Sequence, residues 1–111
     1  MTVEELFALA PQYVDPEGAR GVDRVVDIVL DEHERHQLVV RDGAATITRD
    51  GPERPQLTVR MSTEDVLAIA DGRAHPVKLF FAGRIRTEGD LWGSRALKDV
   101  FVNPHAGGAA G

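Results

Sequence analysis

The chain has 111 residues, with 18 acidic and 13 basic side chains, a net charge of −5 and no cysteine. This length is sufficient for one domain with its own core, and the lack of cysteine excludes disulfides and thiolate metal sites. An acidic chain with one tryptophan and one tyrosine lacks the basic surface that nucleic-acid binding requires. Glu4 and Glu5, and the lack of a long apolar run, argue against a signal peptide and a membrane span. We therefore expect a soluble, cytoplasmic protein.

The first half of the sequence predicts a short helical segment followed by strands. An amphipathic helix starts after Thr2 and is ended by Pro11, and one further helical turn starts at Asp15. Asp42-Gly43 strongly favours the turn of a β-hairpin. Apolar residues recur with a period of two and predict strands over residues 24–30, 37–41, 44–49 and 56–61.

The predicted strands have one apolar side. Val26, Ile28 and Leu30 share a side of the first strand, whereas Asp27 marks the opposite side as partly exposed to water. We expect this opposite side of the sheet to be solvated or used for association. The polar residues that it would carry are Asp27, Thr46 or Thr48, Arg60, and Arg84 or Arg86.

The second half predicts two helices and then a short strand. Ser62 suits the cap of the first helix, and Pro76 and Gly83 suit the start and the end of the second. Polarity then alternates, which predicts a strand over residues 84–87 with Ile85 and Thr87 on one side.

A last amphipathic helix is predicted over residues 92–101. Its apolar half carries Trp92, Gly93, Ala96, Leu97, Val100 and Phe101. Together the elements predict an α+β domain with a five-stranded, largely antiparallel sheet and helices packed on one face. We expect residues 1–103 to form this single domain and residues 104–111 to form a flexible tail rich in Gly and Ala.

Residues 57–91, LTVRMSTEDVLAIADGRAHPVKLFFAGRIRTEGDL, resemble the signature of the SCP2 sterol-carrier-protein domain. The shared features are a capped helix after a strand, a Gly-containing turn, Pro, an aromatic pair, Gly-basic-apolar-basic and Gly-Asp-Leu. The earlier stretch FALAPQYVDPEGARGVDRVVDIVL is similar to bacterial single-domain members. The resemblance implies a non-enzymatic carrier, without a cofactor, that takes a sterol, a fatty acid or a fatty acyl-CoA into an apolar tunnel between sheet and helices.

The resemblance also implies which apolar side chains line such a tunnel. They are Phe80, Trp92, Leu97, Val100, Phe101, Leu67 and Ile85. The same apolar stripes are also the ordinary way in which helices pack on a core, and we assign Phe81 to the core. The alternative function is therefore an interaction or homodimerisation module, or an accessory subunit of an enzyme, with the tunnel filled by side chains.

Few polar residues suggest chemistry. His33 and His36, with Glu32 and Glu34, could bind a metal, but an exposed hairpin tip explains them better. No nucleophile with a partner base is evident, so we predict no catalytic residue. The basic residues near the end could contact a phosphate headgroup or form surface ion pairs; they are Lys78, Arg84, Arg86, Arg95 and Lys98.

Overall fold

The computed structural model describes residues 2–101, so the predicted tail lies outside the described residues. The α-helices are α1 (Val3–Ala8), α2 (Pro16–Ala19), α3 (Thr63–Ala70) and α4 (Pro76–Phe81). Two 3-10 helices span Ala10–Tyr13 and Arg95–Asp99. The strands are β1 (Arg24–Leu30), β2 (Glu34–Arg41), β3 (Ala44–Arg49), β4 (Leu57–Met61) and β5 (Arg86–Gly89).

The strands form one sheet in the order β3-β2-β1-β4-β5. Three neighbouring pairs are antiparallel, and β1 with β4 is parallel because the chain crosses from β3 to the other side of β1 before β4 begins. Asp42 and Gly43, with φ values of 55° and 76°, form the β2–β3 turn that the sequence predicts. The α+β class with five strands is confirmed, and the sheet is mixed.

The helices cover one face of the sheet through two separate groups of buried apolar residues. The first core cluster is Ala19, Val26, Leu38, Val40, Ala45, Leu57 and Val100. The second core cluster is Val3, Phe7, Leu30 and Val66. Residues from α1 and α3 thus close one end of the sheet, and residues from α2 and from the chain after the last 3-10 helix close the other.

The opposite face of the sheet is not simply solvated, and the prediction for its centre is wrong. Asp27 is 9% exposed and Gln37 is 1% exposed. The loop before β4 folds over them: the Gln37 amide donates to the Glu53 carbonyl (2.7 Å) and to Asp27 Oδ1 (2.8 Å), and Gln37 Oε1 accepts from the Glu53 N–H (2.9 Å). Gly51 permits the approach, because a Cβ there would lie 2.6 Å from Gln37 Oε1.

Two strand boundaries differ from the prediction. β2 begins at Glu34, so His36 lies in a strand and is buried, and the exposed hairpin tip predicted for it is wrong. β5 begins at Arg86, so Ile85 and Arg84 precede it. Strand pairing explains both shifts. β2 starts early because Glu34 pairs with Leu30 at the end of β1, and β5 starts late because its first pair with β4 is Arg86 with Arg60.

The predicted amphipathic helix over residues 92–101 is a turn followed by a 3-10 helix. Asp90 explains the difference, since its carboxylate accepts from the Gly93 N–H at 2.8 Å and holds a tight turn. The N–H groups of Leu97 and Val100 then donate to carbonyls three residues back rather than four. The spacing of apolar residues in the sequence therefore does not distinguish an α-helix from this turn and 3-10 helix.

The assignment of Phe81 to the core is wrong, because this side chain is 83% exposed. α4 contains no buried residue, and Leu79 is its least exposed one. The Leu79 carbonyl also accepts from the N–H groups of Arg84 and Ile85. The side of α4 that carries Leu79 therefore faces the protein, and the side with Val77, Phe80 and Phe81 faces outward.

A charged pair joins α3 to the chain before β5. Arg84 donates from Nε to Asp65 Oδ2 and from Nη2 to Asp65 Oδ1, both at 2.9 Å, and Asp65 is 6% exposed. The Asp65 backbone N–H donates to Ser62 Oγ (3.0 Å), which confirms the predicted cap. The hydrogen bonds from Arg84 lower the pKa of Asp65 below its ordinary value of 3.8.

We expect Asp65→Asn to lower the free energy of unfolding at neutral pH by about 1–3 kcal/mol, because it removes a charged hydrogen-bond acceptor from Arg84. Because the folded-state pKa of Asp65 is lowered, its contribution is present above its unfolded pKa and is lost as the pH falls through the folded value. Between about pH 5 and pH 2, the free energy of unfolding measured in urea should therefore fall less steeply in the variant than in the wild type. Glu64→Gln, at an exposed position of the same helix, is the control; equal slopes for wild type and Asp65→Asn would contradict the prediction.

Candidate functional site

A row of four residues crosses the helix-facing side of the sheet between the two core clusters. Thr87 pairs with Val59, Val59 with Ile28, and Ile28 with His36. Cross-strand partners point to the same face of a sheet, so these side chains lie side by side from β5 to β2. We call Thr87, Val59, Ile28 and His36 the central row.

Three members of the central row are less covered than most of their neighbours on the same face. Val26 and Leu57, on one side, are 3% and 5% exposed. On the other side Leu30 is fully buried, and Met61 beside it in β4 is half-buried. Thr87, Val59 and Ile28 are only half-buried, although Ile28 lies in the central strand and packs against both core clusters. The helices therefore close the two ends of this face and leave an apolar strip between them.

At the β5 end the central row opens into a groove of about 510 Å³. Its lining residues are Phe80, Ile85, Thr87, Arg60, Arg86 and Glu88. Phe80 from α4 and Ile85 provide an apolar wall. Arg60, Arg86 and Glu88 alternate with Val59 and Thr87, so they belong to the opposite face of the sheet, and the groove bends around the β5 edge between the two faces. This volume lies within the range of small-molecule sites, and the groove is open to solvent rather than an enclosed tunnel.

The charged residues of the groove form ion pairs at its rim. Arg60 Nε donates to Glu88 Oε1 at 2.8 Å, and this contact raises the pKa of Arg60. Arg86 pairs with Glu32. Because these pairs are exposed, an anionic group entering the groove could displace either carboxylate at little cost.

The inner end of the central row is closed by a buried histidine. His36 is 3% exposed, its Nε2 lies 2.8 Å from Glu34 Oε2, and its ring meets Phe7 edge-on with a centroid distance of 4.9 Å. The hydrogen bond with His36 lowers the pKa of Glu34. His33 lies in the turn before β2 and bonds the Asp31 carbonyl (2.7 Å), so the two histidines have separate structural roles.

The structure brings the sequence-predicted tunnel residues together in groups. Val100 belongs to the first core cluster, and Leu97 and Phe101 pack against it. Leu67 packs against the second core cluster, and Phe80 and Ile85 line the groove. Trp92 is 77% exposed and lies in none of these groups; the Arg95 guanidinium sits 4.9 Å from its ring.

Sequence reasoning did not single out Ile28, Val59 and Thr87, although the strand alternation placed each on the apolar side. These three residues differ from their neighbours in being only partly covered by helices. This coverage depends on where α1, α3 and the C-terminal 3-10 helix end over the sheet.

Two of the predicted headgroup contacts are engaged in ion pairs: Arg84 with Asp65, and Arg86 with Glu32. In residues 2–101 no helix has the length and the apolar character needed to cross a membrane.

Comparisons with known proteins agree with this architecture. Residues 3–102 match the model of the SCP-2 sterol transfer family. Sterol carrier protein 2 from Rattus norvegicus is 25% identical over 65 residues, which are 59% of this chain and 12% of the rat protein. The chain therefore spans only a small part of that relative.

Two solved structures share the fold. The palmitated SCP2L2 of Aedes aegypti is 25% identical with a TM-score of 0.66, and the match covers 89% of this chain and 95% of that one. The sec-alkylsulfatase Pisa1 from Pseudomonas sp. is 18% identical with a TM-score of 0.76, covering 92% of this chain and 17% of the enzyme. The chain folds as one five-stranded sheet with helices on one face, and the family model matches nearly all of the described residues. The chain therefore belongs to the SCP-2 sterol transfer family.

Proposed function

We propose that the chain is a non-enzymatic carrier that binds a single-chain lipid, a fatty acid or a fatty acyl-CoA, with its acyl chain along the central row. The observation that carries the proposal is the half-buried apolar strip of Ile28, Val59 and Thr87 between two closed core clusters. The palmitated relative from Aedes aegypti supports a linear acyl chain as the ligand. A cytoplasmic location stays a prediction from the sequence.

The groove at β5 is the entrance in this proposal. An acyl chain passing Phe80 and Ile85 would reach Val59 and Ile28, and each methylene removed from water contributes about 0.8 kcal/mol. The acidic headgroup would remain at the rim near Arg60 and Arg86, whose guanidinium groups suit a carboxylate or a phosphate. Affinity would thus come from the chain, and the orientation of the ligand from the two arginines.

We expect Val59→Phe to weaken the binding of a fluorescent fatty-acid analogue about tenfold or more, because the larger side chain fills the strip that the acyl chain would occupy. The matched control is Val39→Phe, which places the same substitution at a half-buried position on the opposite face of the sheet. Thermal unfolding of each variant checks that the fold persists.

Equal binding by the two folded variants would contradict the proposal. It would favour the alternative, an interaction module or enzyme accessory subunit in which side chains fill the space. That alternative predicts no saturable binding by wild type either, so the displacement assay separates the two functions.

A further inference from the structure

Within residues 2–101, β5 is an edge strand with no second strand on its outer side. It pairs there with β4 alone, and it contains neither a proline nor a β-bulge to block another strand. Among the described residues, the backbone N–H and C=O of Thr87 make no hydrogen bond outside the ladder with β4.

The hydrogen-bond alternation of the sheet shows where these Thr87 groups point. The Met61 carbonyl accepts from Asp31, beside the end of β1, and the Gln56 carbonyl accepts from Asp90, beside the end of β5. Successive residues of a strand direct their backbone groups to opposite sides. Thr58 and Arg60 therefore bond toward β5, and Thr87, opposite Val59, directs its N–H and C=O away from the sheet.

The charges of β5 are self-complementary. Arg86 and Glu88 flank Thr87 and lie on the same face of the strand, and both are exposed. In an antiparallel pair of two β5 strands centred on Thr87, each Arg86 lies opposite the Glu88 of the other copy. Within one chain Arg86 lies opposite Arg60, and Glu32 and Glu88 already pair with these two arginines. The glutamate of the second copy would add a further opposite charge directly across from Arg86.

We propose that two copies of this chain associate through β5, in antiparallel register about a two-fold axis at Thr87. The two Thr87 residues exchange both backbone hydrogen bonds, and the sheet continues from one copy into the other. Phe80, an outward apolar residue of α4, lines the same groove as Arg86, Thr87 and Glu88 and so lies beside the junction. A four-residue strand buries little area, so the dimer is weak and depends on protein concentration.

A cysteine cross-link tests the register directly, because the chain has no cysteine of its own. Directly opposed residues of a hydrogen-bonded pair have Cα atoms about 5.5 Å apart, which suits a disulfide. We expect Thr87→Cys to form a covalent dimer under mild oxidation at least about tenfold faster than Glu88→Cys, which would face Arg86 of the other copy. Thr48→Cys on the opposite edge strand, β3, is the second control.

A charge swap tests the same pairing without a cross-link. Arg86→Glu and Glu88→Arg should each weaken association in sedimentation experiments about tenfold, and the double variant should restore it. Equal cross-linking of the Thr87 and Glu88 variants, or a double variant as weak as the singles, would overturn the proposal. Both tests use lipid-free protein, so their outcome is independent of whether the chain carries lipid.

Discussion

Gln37→Leu is expected to lower the free energy of unfolding by about 3–5 kcal/mol, because one buried side chain supplies three hydrogen bonds. Gln37 is 1% exposed, and its amide holds the Asp27 carboxylate and both backbone groups of Glu53. Leucine has a similar volume but leaves these groups without their partner. Urea unfolding at neutral pH measures the loss.

The control for this prediction is Gln12→Leu, the same change at an exposed position. We expect it to alter stability by less than about 0.5 kcal/mol. If the two variants were equally stable, the loop over the outer face of the sheet would not depend on Gln37.

Leu30→Ala is expected to cost about 2–5 kcal/mol, because Leu30 is fully buried in the second core cluster and alanine leaves a cavity. Leu30 lies on the same face of β1 as Ile28, two residues further along. The cavity would lie next to the central row, and no side chain would block the row itself. We therefore expect the folded variant to keep lipid binding. Leu91→Ala, at a side chain that is 47% exposed, is the control.

Leu30→Ala and Val59→Phe thus have opposite expected effects. The first should lower stability and keep binding, and the second should keep the fold and lose binding. Loss of binding by folded Leu30→Ala, with retention by Val59→Phe, would mean that the ligand does not lie along the central row.

Much of the fold follows from local features of the sequence. Strand alternation predicts β1, β3 and β4, Asp42-Gly43 predicts the hairpin, and Ser62 predicts the start of α3. The parallel pairing of β1 with β4 could not be predicted in this way, because it depends on where the chain crosses the sheet. Burial of Asp27 likewise depends on a loop that folds back from a distant part of the sequence.

The candidate site is less predictable than the fold. An apolar stripe shows which residues avoid water but not whether a helix, a ligand or solvent covers them, so Phe81 was misplaced and Val59 was not singled out. Residues 92–94 form a turn held by Asp90 and Gly93 in place of the predicted helix, and helical periodicity in the sequence does not reveal this turn. The resemblance of residues 57–91 indicated the family, and the coverage of individual residues required the structure.

The most direct test of acyl-chain burial along the central row is the affinity of the lipid-free protein for saturated fatty acids of increasing length. Displacement of a fluorescent analogue should show that affinity rises roughly fourfold for each added methylene, the equivalent of about 0.8 kcal/mol, until the strip from Thr87 to Ile28 is filled. Three neighbouring strands span about 10 Å, the length of roughly eight extended carbons, so a series from about 4 to 18 carbons covers the rise and the plateau. An affinity that does not change with chain length, or the absence of saturable binding, would contradict the proposed function.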